Sequence, residues 1–267
     1  MAKVVALLTL GFRRAYQRAV EWLRSIAWNA LHLNLPAEFE SFVRAYVGRT
    51  ITEEELWRNY VYLTGSQTPF VRVLRSQLNP VLDCLKQFAT ITLEPTIYCY
   101  QDLSSHIESR RLSEKVLMLE FRERVGRNVQ AEEWRKLLSE ELRYANDAWQ
   151  GSVGNIVEKA RRHSRNIMLY GGHLKPLRQS LEVEGFSVEI ICPQTYWRSP
   201  IDSLRTIFWM KGAGNVTDEE IEYYVERQIE YLDLVLSCDN IDEAHESWAH
   251  RIQQFYSTTR RFGCVQS

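Results

Sequence analysis

The side chains with the most chemical reach stand where short apolar runs stop. In Asn166-Ile-Met-Leu-Tyr-Gly-Gly-His173, a run too short and too β-branched or aromatic for a helix meets a diglycine and then a histidine. Gly171 and Gly172 let the backbone turn sharply there. Histidine changes charge near neutrality and is the commonest metal ligand, so His173 is a candidate catalytic residue. Its other reading is a side chain that caps or packs against the following helix. Asp102 ends a second apolar run and stands four residues before His106, a spacing that brings two side chains together on one helix face. Asp102, His106 and His173 would make three protein ligands for a divalent metal, with Asp102 and His173 as the catalytic pair. Asp102 is equally placed to be a helix N-cap.

The elements that must position these groups alternate. Val4 to Thr9, Ala30 to Asn34, Thr96 to Gln101, Ile167 to Tyr170 and Ser187 to Ile191 are strand-like runs separated by helical patterns. This order predicts an α/β fold, with a short, mostly parallel sheet of about five strands surrounded by many helices. Helix starts are expected at Thr52-Glu-Glu-Glu55, Thr68-Pro69 and Thr217-Asp-Glu-Glu220. Pro80 is expected to kink or divide its helix, and the helical stretch from 104 to 162 to break near Gly126 and near Gly151 to Gly154. The second strand is expected to stop at Asn34, before Pro36.

Ligands of open α/β sheets bind beyond the carboxyl ends of the strands. In that crevice Arg13, Arg14, Asn34, Lys175, Gly171 and Gly172 are expected to bind ligand beside Asp102 and His173, with His32 one residue inside its strand and His106 one turn farther on. Three basic side chains beside helix N-termini favour negative charge, so a small phosphate- or carboxylate-bearing molecule is the expected ligand. Paired arginines recur at Arg110-Arg111, Arg161-Arg162 and Arg260-Arg261, which makes a solvated role for Arg13-Arg14 the competing reading.

A chain of 267 residues with 45% hydrophobic content can bury a large core. One domain, 1–267, is expected, with a helical insertion at about 104–163 and a helical C-terminal segment at about 217–259. Lys+Arg 33 against Asp+Glu 34 leaves a net charge of -1, so nothing marks nucleic acid as a partner. The five cysteines include no Cys-x-x-Cys pair and read as reduced, mostly buried thiols, Cys192 among them. Val4 to Leu10 is too short to span a bilayer, so no membrane partner and a cytoplasmic location are the expectations. His245 and His250 read as surface residues, and Tyr223-Tyr224 with Tyr231 and Leu232 as a homodimer surface.

Three segments carry a resemblance to a known group. They are the strand, glycine and helix at Val4 to Leu23; Leu31-His-Leu-Asn34 with the following helix and Gly48-Arg-Thr-Ile-Thr-Glu-Glu-Glu-Leu56; and Arg143 to Gly185, with its Asn-Ile, strand, Gly-x-His and helix. In this order they resemble the superfamily of TraB/PrgY and Tiki proteins, ChaN-like haem-binding proteins and erythromycin-esterase-like proteins. The resemblance implies the α/β fold and a site at the strand ends. Two positions depart from the group's pattern: Gly11-Phe-Arg-Arg14 stands where an acidic residue and a histidine are expected, and Asn34 where a glutamate is expected. A neutral amide oxygen is a poor ligand for a transition metal. The chain therefore reads as a divergent, non-catalytic member binding a small anion. A metal-dependent hydrolase using the same crevice is the alternative, and a haem-binding or dimeric scaffold the second alternative.

Overall fold

The computed structural model describes residues 2–9, 11–91, 96–172, 174–194 and 198–258, without the side chains of 91, 174, 175 and 253–258. His173 and Cys264 lie outside the described residues, as does the side chain of Lys175. The fold is α/β, and the chain packs as two compact units. Unit 1 comprises residues 1–111 and 144–195, and unit 2 comprises 112–143 and 196–267.

Unit 1 holds the sheet. Strands β1 (Lys3–Leu8), β2 (Ala30–Pro36), β3 (Thr96–Gln101), β4 (Arg165–Tyr170) and β5 (Ser187–Ile191) lie in the order β3-β2-β4-β1-β5. Every pairing is parallel. β1 to β4 read as near-continuous apolar runs because both their faces are buried. Val5, Leu7, Leu31, Leu33, Leu35, Ile167 and Leu169 pack on one face, against α1 (Arg13–Ser25), α2 (Glu40–Val47), α3 (Glu53–Thr64) and α4 (Thr68–Ile91). Val4, Ala6, Leu8, Tyr100, Met168 and Tyr170 pack on the other, against α7 (Leu174–Val183) and the end of α6 (Ala131–Ala160).

Four local features differ from the sequence expectations. β2 runs on to Pro36, with a register irregularity after Leu33, because Leu35 is drawn into the core beyond Asn34. α4 is not divided at Pro80; Leu78, Val81, Leu82 and Leu85 are buried on both sides of the proline, and their packing outweighs one lost hydrogen bond. α6 is continuous through Gly151 and Gly154, held by Trp134 and Leu138 before them and Ile156 after. Cys192 is exposed beyond the end of β5, although Cys84 and Cys99 are buried. The break at Gly126 and the capping boxes at Thr52–Glu55 and Thr217–Glu220 are present.

β3 is an edge strand, and charged side chains cover its outer backbone. The Cys99 N–H donates to Glu40 Oε2 at 3.0 Å, and Lys159 Nζ donates to the Cys99 carbonyl at 3.0 Å. Arg44 donates to the Ile97 carbonyl through Nε at 3.1 Å and Nη2 at 2.9 Å. Glu40 bridges the two cations, at 3.0 Å from Lys159 and 2.8 Å from Arg44. An exposed edge is a template for pairing with another chain, and charges of this kind block it.

Unit 2 is helical. It is formed by α8 (Pro200–Lys211), α9 (Asp218–Ser237), α10 (Ile241–Thr258), residues of α5 (Leu103–Gly126) from 112 onward and residues of α6 up to 143. Only residues 112–143 of the expected insertion thus share a unit with the helical C-terminal segment, the rest of it belonging to unit 1; Trp134, Leu204, Phe208, Ile221 and Val225 of unit 2 are almost wholly buried. Tyr231, Leu232 and His245 are buried in it too, contrary to their expected place on the surface. Arg205 holds Glu141 through two bonds of 2.8 Å and Asp202 at 2.9 Å. Burial raises the Glu120 carboxyl to about 7, while Gln228 donates to it at 3.0 Å.

Glu40→Ala should destabilise unit 1 by about 2 kcal/mol, because it strands Lys159 and the Cys99 N–H. Urea unfolding would measure it, and the cost of Glu40→Ala with Lys159→Met should be less than the sum of the two single changes.

Candidate functional site at the carboxyl edge

Connectivity places the site. After β1 and β2 the chain enters helices on one face of the sheet, and the segment after β4 enters α7 on the other. β4 lies between β2 and β1, so the chain diverges to opposite faces on both sides of its end. Such switch points open a crevice at the carboxyl edge.

The diglycine after β4 lies on that crevice. A β-carbon added to Gly171 would sit 3.9 Å from Asn34 Nδ2, which places the Asn34 amide beside the exposed turn. Gly172 is the more constrained: a β-carbon there would meet the Tyr170 hydroxyl at 2.6 Å and the ring at 2.9 Å. On the β1 side, the Thr9 N–H donates to the Tyr170 carbonyl at 3.0 Å, and the Phe12 N–H donates to the Thr9 carbonyl at 3.2 Å. Gly11 turns the chain there with φ +73, a left-handed conformation that favours glycine, and Gln77 donates to its carbonyl.

α1 begins immediately after this turn. Its N-cap, Phe12, offers no side-chain acceptor, and its first turn holds no acidic residue. Arg13 and Arg14 open the helix, both exposed. Arg18, one turn on, donates to the Pro193 carbonyl beyond β5 at 3.4 Å. This end therefore combines N–H groups without a side-chain cap, the positive end of the helix dipole and two guanidinium groups, a combination that favours an anion.

The other expected residues form a separate structure. Asp102 is the N-cap of α5: its Oδ2 accepts from the Ser105 N–H at 2.8 Å and the Ser104 hydroxyl at 2.5 Å. Those bonds hold its carboxyl below the usual range. His106 has both ring nitrogens engaged, with Tyr60 hydroxyl at 2.6 Å on Nε2 and Gln101 Oε1 on Nδ1. The one consistent neutral form donates from Nδ1 to Gln101 and accepts from Tyr60 at Nε2. Burial, followed by the nearby Arg110 charge, pushes His106 down to about 4. Metal binding by His106 would require breaking one of these bonds. Among the described residues, no group of three His, Cys, Asp or Glu side chains could hold a metal ion.

Tyr60, Gln101, Thr64, Ser66 and Arg110 complete this network and were missed by the sequence reading. Thr64 Oγ1 and Ser66 Oγ lie 2.5 Å apart, and Arg110 donates to Ser66 Oγ and to the Thr64 carbonyl. Gln101, the last residue of β3, was the available signal, since a polar side chain at a strand's carboxyl end points to the crevice. His32 is wholly buried on the face covered by α6, with Nε2 3.0 Å from Asn166 Oδ1, and its ring lies against Tyr98. It does not line the crevice. Burial pushes it, too, down to about 4.

No protein-family profile, curated protein or solved structure matches the chain. Among the described residues, no helix is long and apolar enough to cross a membrane.

His106 takes up its proton only near pH 4 in the native state, whereas the unfolded chain takes it up near 6.5. The native state is therefore penalised as the pH falls from about 6.5 to 4, by at most about 3 kcal/mol. Glu120 acts in the opposite sense, since its raised carboxyl makes stability fall as the pH rises from about 4.5 to 7. His106→Gln should remove the first contribution and leave the second. Urea unfolding at pH 7 and pH 5 should then show a smaller loss at pH 5 in the variant than in the parent.

Proposed function

We propose that this chain binds a small phosphate- or carboxylate-bearing molecule at the carboxyl edge of its sheet, as a divergent, non-catalytic relative of the TraB, ChaN-like and erythromycin-esterase-like proteins in the cytoplasm. The observation that carries the reading is the start of α1, without a side-chain cap or an acidic first turn, beside Asn34 and the Gly171 turn at a topological switch point. Arg13 and Arg14 supply charge, the α1 N–H groups supply directed donors, and the Asn34 amide supplies a neutral one. Gly171 and Gly172 keep the wall free of side chains, and His173 and Lys175 add cationic or donor groups from the segment that follows. A non-catalytic role is supported by the residues that depart from the group's pattern. Asn34 cannot act as a general base, and His106 holds a structural hydrogen-bond pair.

A thermal-melt series with inorganic phosphate and pyrophosphate tests this. A ligand at 100 times its dissociation constant adds about 2.7 kcal/mol, a rise of a few degrees for a chain of this length. The rise should disappear in Arg13→Ala with Arg14→Ala and shrink in Asn34→Ala. No response to either anion would sink the reading. Stabilisation by manganese or zinc that vanishes in His173→Ala would replace it with a metal-dependent hydrolase, and a haem absorbance band lost in the same variant with a haem protein.

A further inference from the structure

Unit 2 contains a cleft of about 400 Å³ that the sheet-edge site does not involve. It is lined by Arg198, Arg227, Arg251, Tyr223, Tyr224 and Trp248, where α9 and α10 meet the start of α8. The volume lies toward the lower end of the range for small-molecule sites. Three arginines face one carboxylate, Glu230, which is already committed to Arg227 at 2.9 Å. Arg227 also lies over the Tyr223 ring, 5.8 Å from its centroid. Arg198 and Arg251 are exposed and have no ion-pair partner among the described residues. The lining is therefore positive in a chain whose net charge is -1.

The walls are aromatic as well as cationic. Tyr223 and Tyr224 meet edge to face at 5.2 Å, and Tyr223 is 50% exposed. Trp248 is 6% exposed and backed by Tyr231, with ring centroids 5.7 Å apart. Its indole N–H is buried without a hydrogen-bond partner, as is that of Trp57 in unit 1. The start of α8 does not supply the missing chemistry. The Asp202 N–H is taken by Ser199 Oγ at 3.2 Å, and the Ile201 N–H by Gln228 Oε1 at 3.1 Å. An anion in this cleft would be held by guanidinium groups.

We infer that this cleft is a second ligand site, built for a planar aromatic group carrying a phosphate, the chemistry of a nucleoside monophosphate. The ring stacks against tyrosine and tryptophan, and the phosphate is held by Arg198 and Arg251. Arginine suits both roles, because its planar fork matches phosphate and its face stacks on rings.

Isothermal titration with adenosine monophosphate tests the assignment, with adenosine and inorganic phosphate as partial probes. Adenosine monophosphate should bind saturably below about 1 mM, with each partial probe at least about tenfold weaker. Arg198→Ala and Arg251→Ala should each weaken it about tenfold, with unchanged melting temperatures since both side chains are exposed. Tyr223→Ala removes the half-exposed ring of the lining and should weaken binding as well. The inference is overturned if adenosine monophosphate shows no saturable binding, if inorganic phosphate binds as tightly, or if the double arginine variant binds unchanged. Binding lost in Arg13→Ala with Arg14→Ala but kept in Arg251→Ala would move the ligand to the sheet edge. That outcome would overturn this inference while leaving the sheet-edge reading intact.

Discussion

A parallel sheet cannot leave either face in water when its strands are apolar along their whole length. In this chain that constraint governs the placement of every helix in unit 1. Val5 and Leu7 point to one face and Val4, Ala6 and Leu8 to the other, so helices must be laid down on both. With strand order β3-β2-β4-β1-β5, a chain that crosses consistently in one hand puts α1 to α4 on one side and α6 and α7 on the other. The segments leaving β1, β2 and β4 must then part above the sheet. The crevice holding Gly171, Asn34 and the start of α1 is a consequence of covering two faces, before any ligand is considered.

Polar groups inside unit 1 serve this arrangement more than they serve chemistry. His32 is neutral between Asn166 and Tyr98. Asn166 ties it further, donating to the carbonyls of Ala160 and His163 at 3.1 Å each. His106 joins α3 to the end of β3 through Tyr60 and Gln101. Glu40, Arg44 and Lys159 close the free edge of β3, and the Arg44 and Lys159 cations lie 5.5 and 5.3 Å from the Tyr98 ring centroid. Each buried polar atom drawn into these contacts avoids a desolvation penalty of about 1–3 kcal/mol. Residue types often found in active sites thus act here as ties between elements.

Unit 2 balances its charges differently. Arg205, Glu141 and Asp202 form a half-buried ion-pair group, and Glu123 is buried with its oxygens accepting from Trp134 Nε1 and the Gln130 N–H. Glu120 lies nearby in space with a raised carboxyl. At the second cleft, by contrast, the exposed Arg198 and Arg251 have no ion-pair partner among the described residues.

Strand-length apolar runs, glycine turns and capping boxes are local signals, so the five strands, the α/β class and the helix starts at Thr52 and Thr217 were legible in the sequence. The same holds for the α5 cap at Asp102, one of two readings open there. What depended on distant partners was not legible. Pro80 and Gly151 look like breaks in isolation, yet buried side chains on either side carry both helices through. His106 and Asp102 sit at a chelating spacing, but Tyr60, 46 residues away in the chain, takes one ring nitrogen of His106. Residues 112–143 and the C-terminal helices show no sequence sign of belonging together; only the burial of their apolar faces makes them unit 2. Sequence alone determined which segments form helices and strands, because those preferences act over a few residues. Tertiary structure decided which polar side chains remain available for a ligand, because availability depends on what other parts of the chain have already paired.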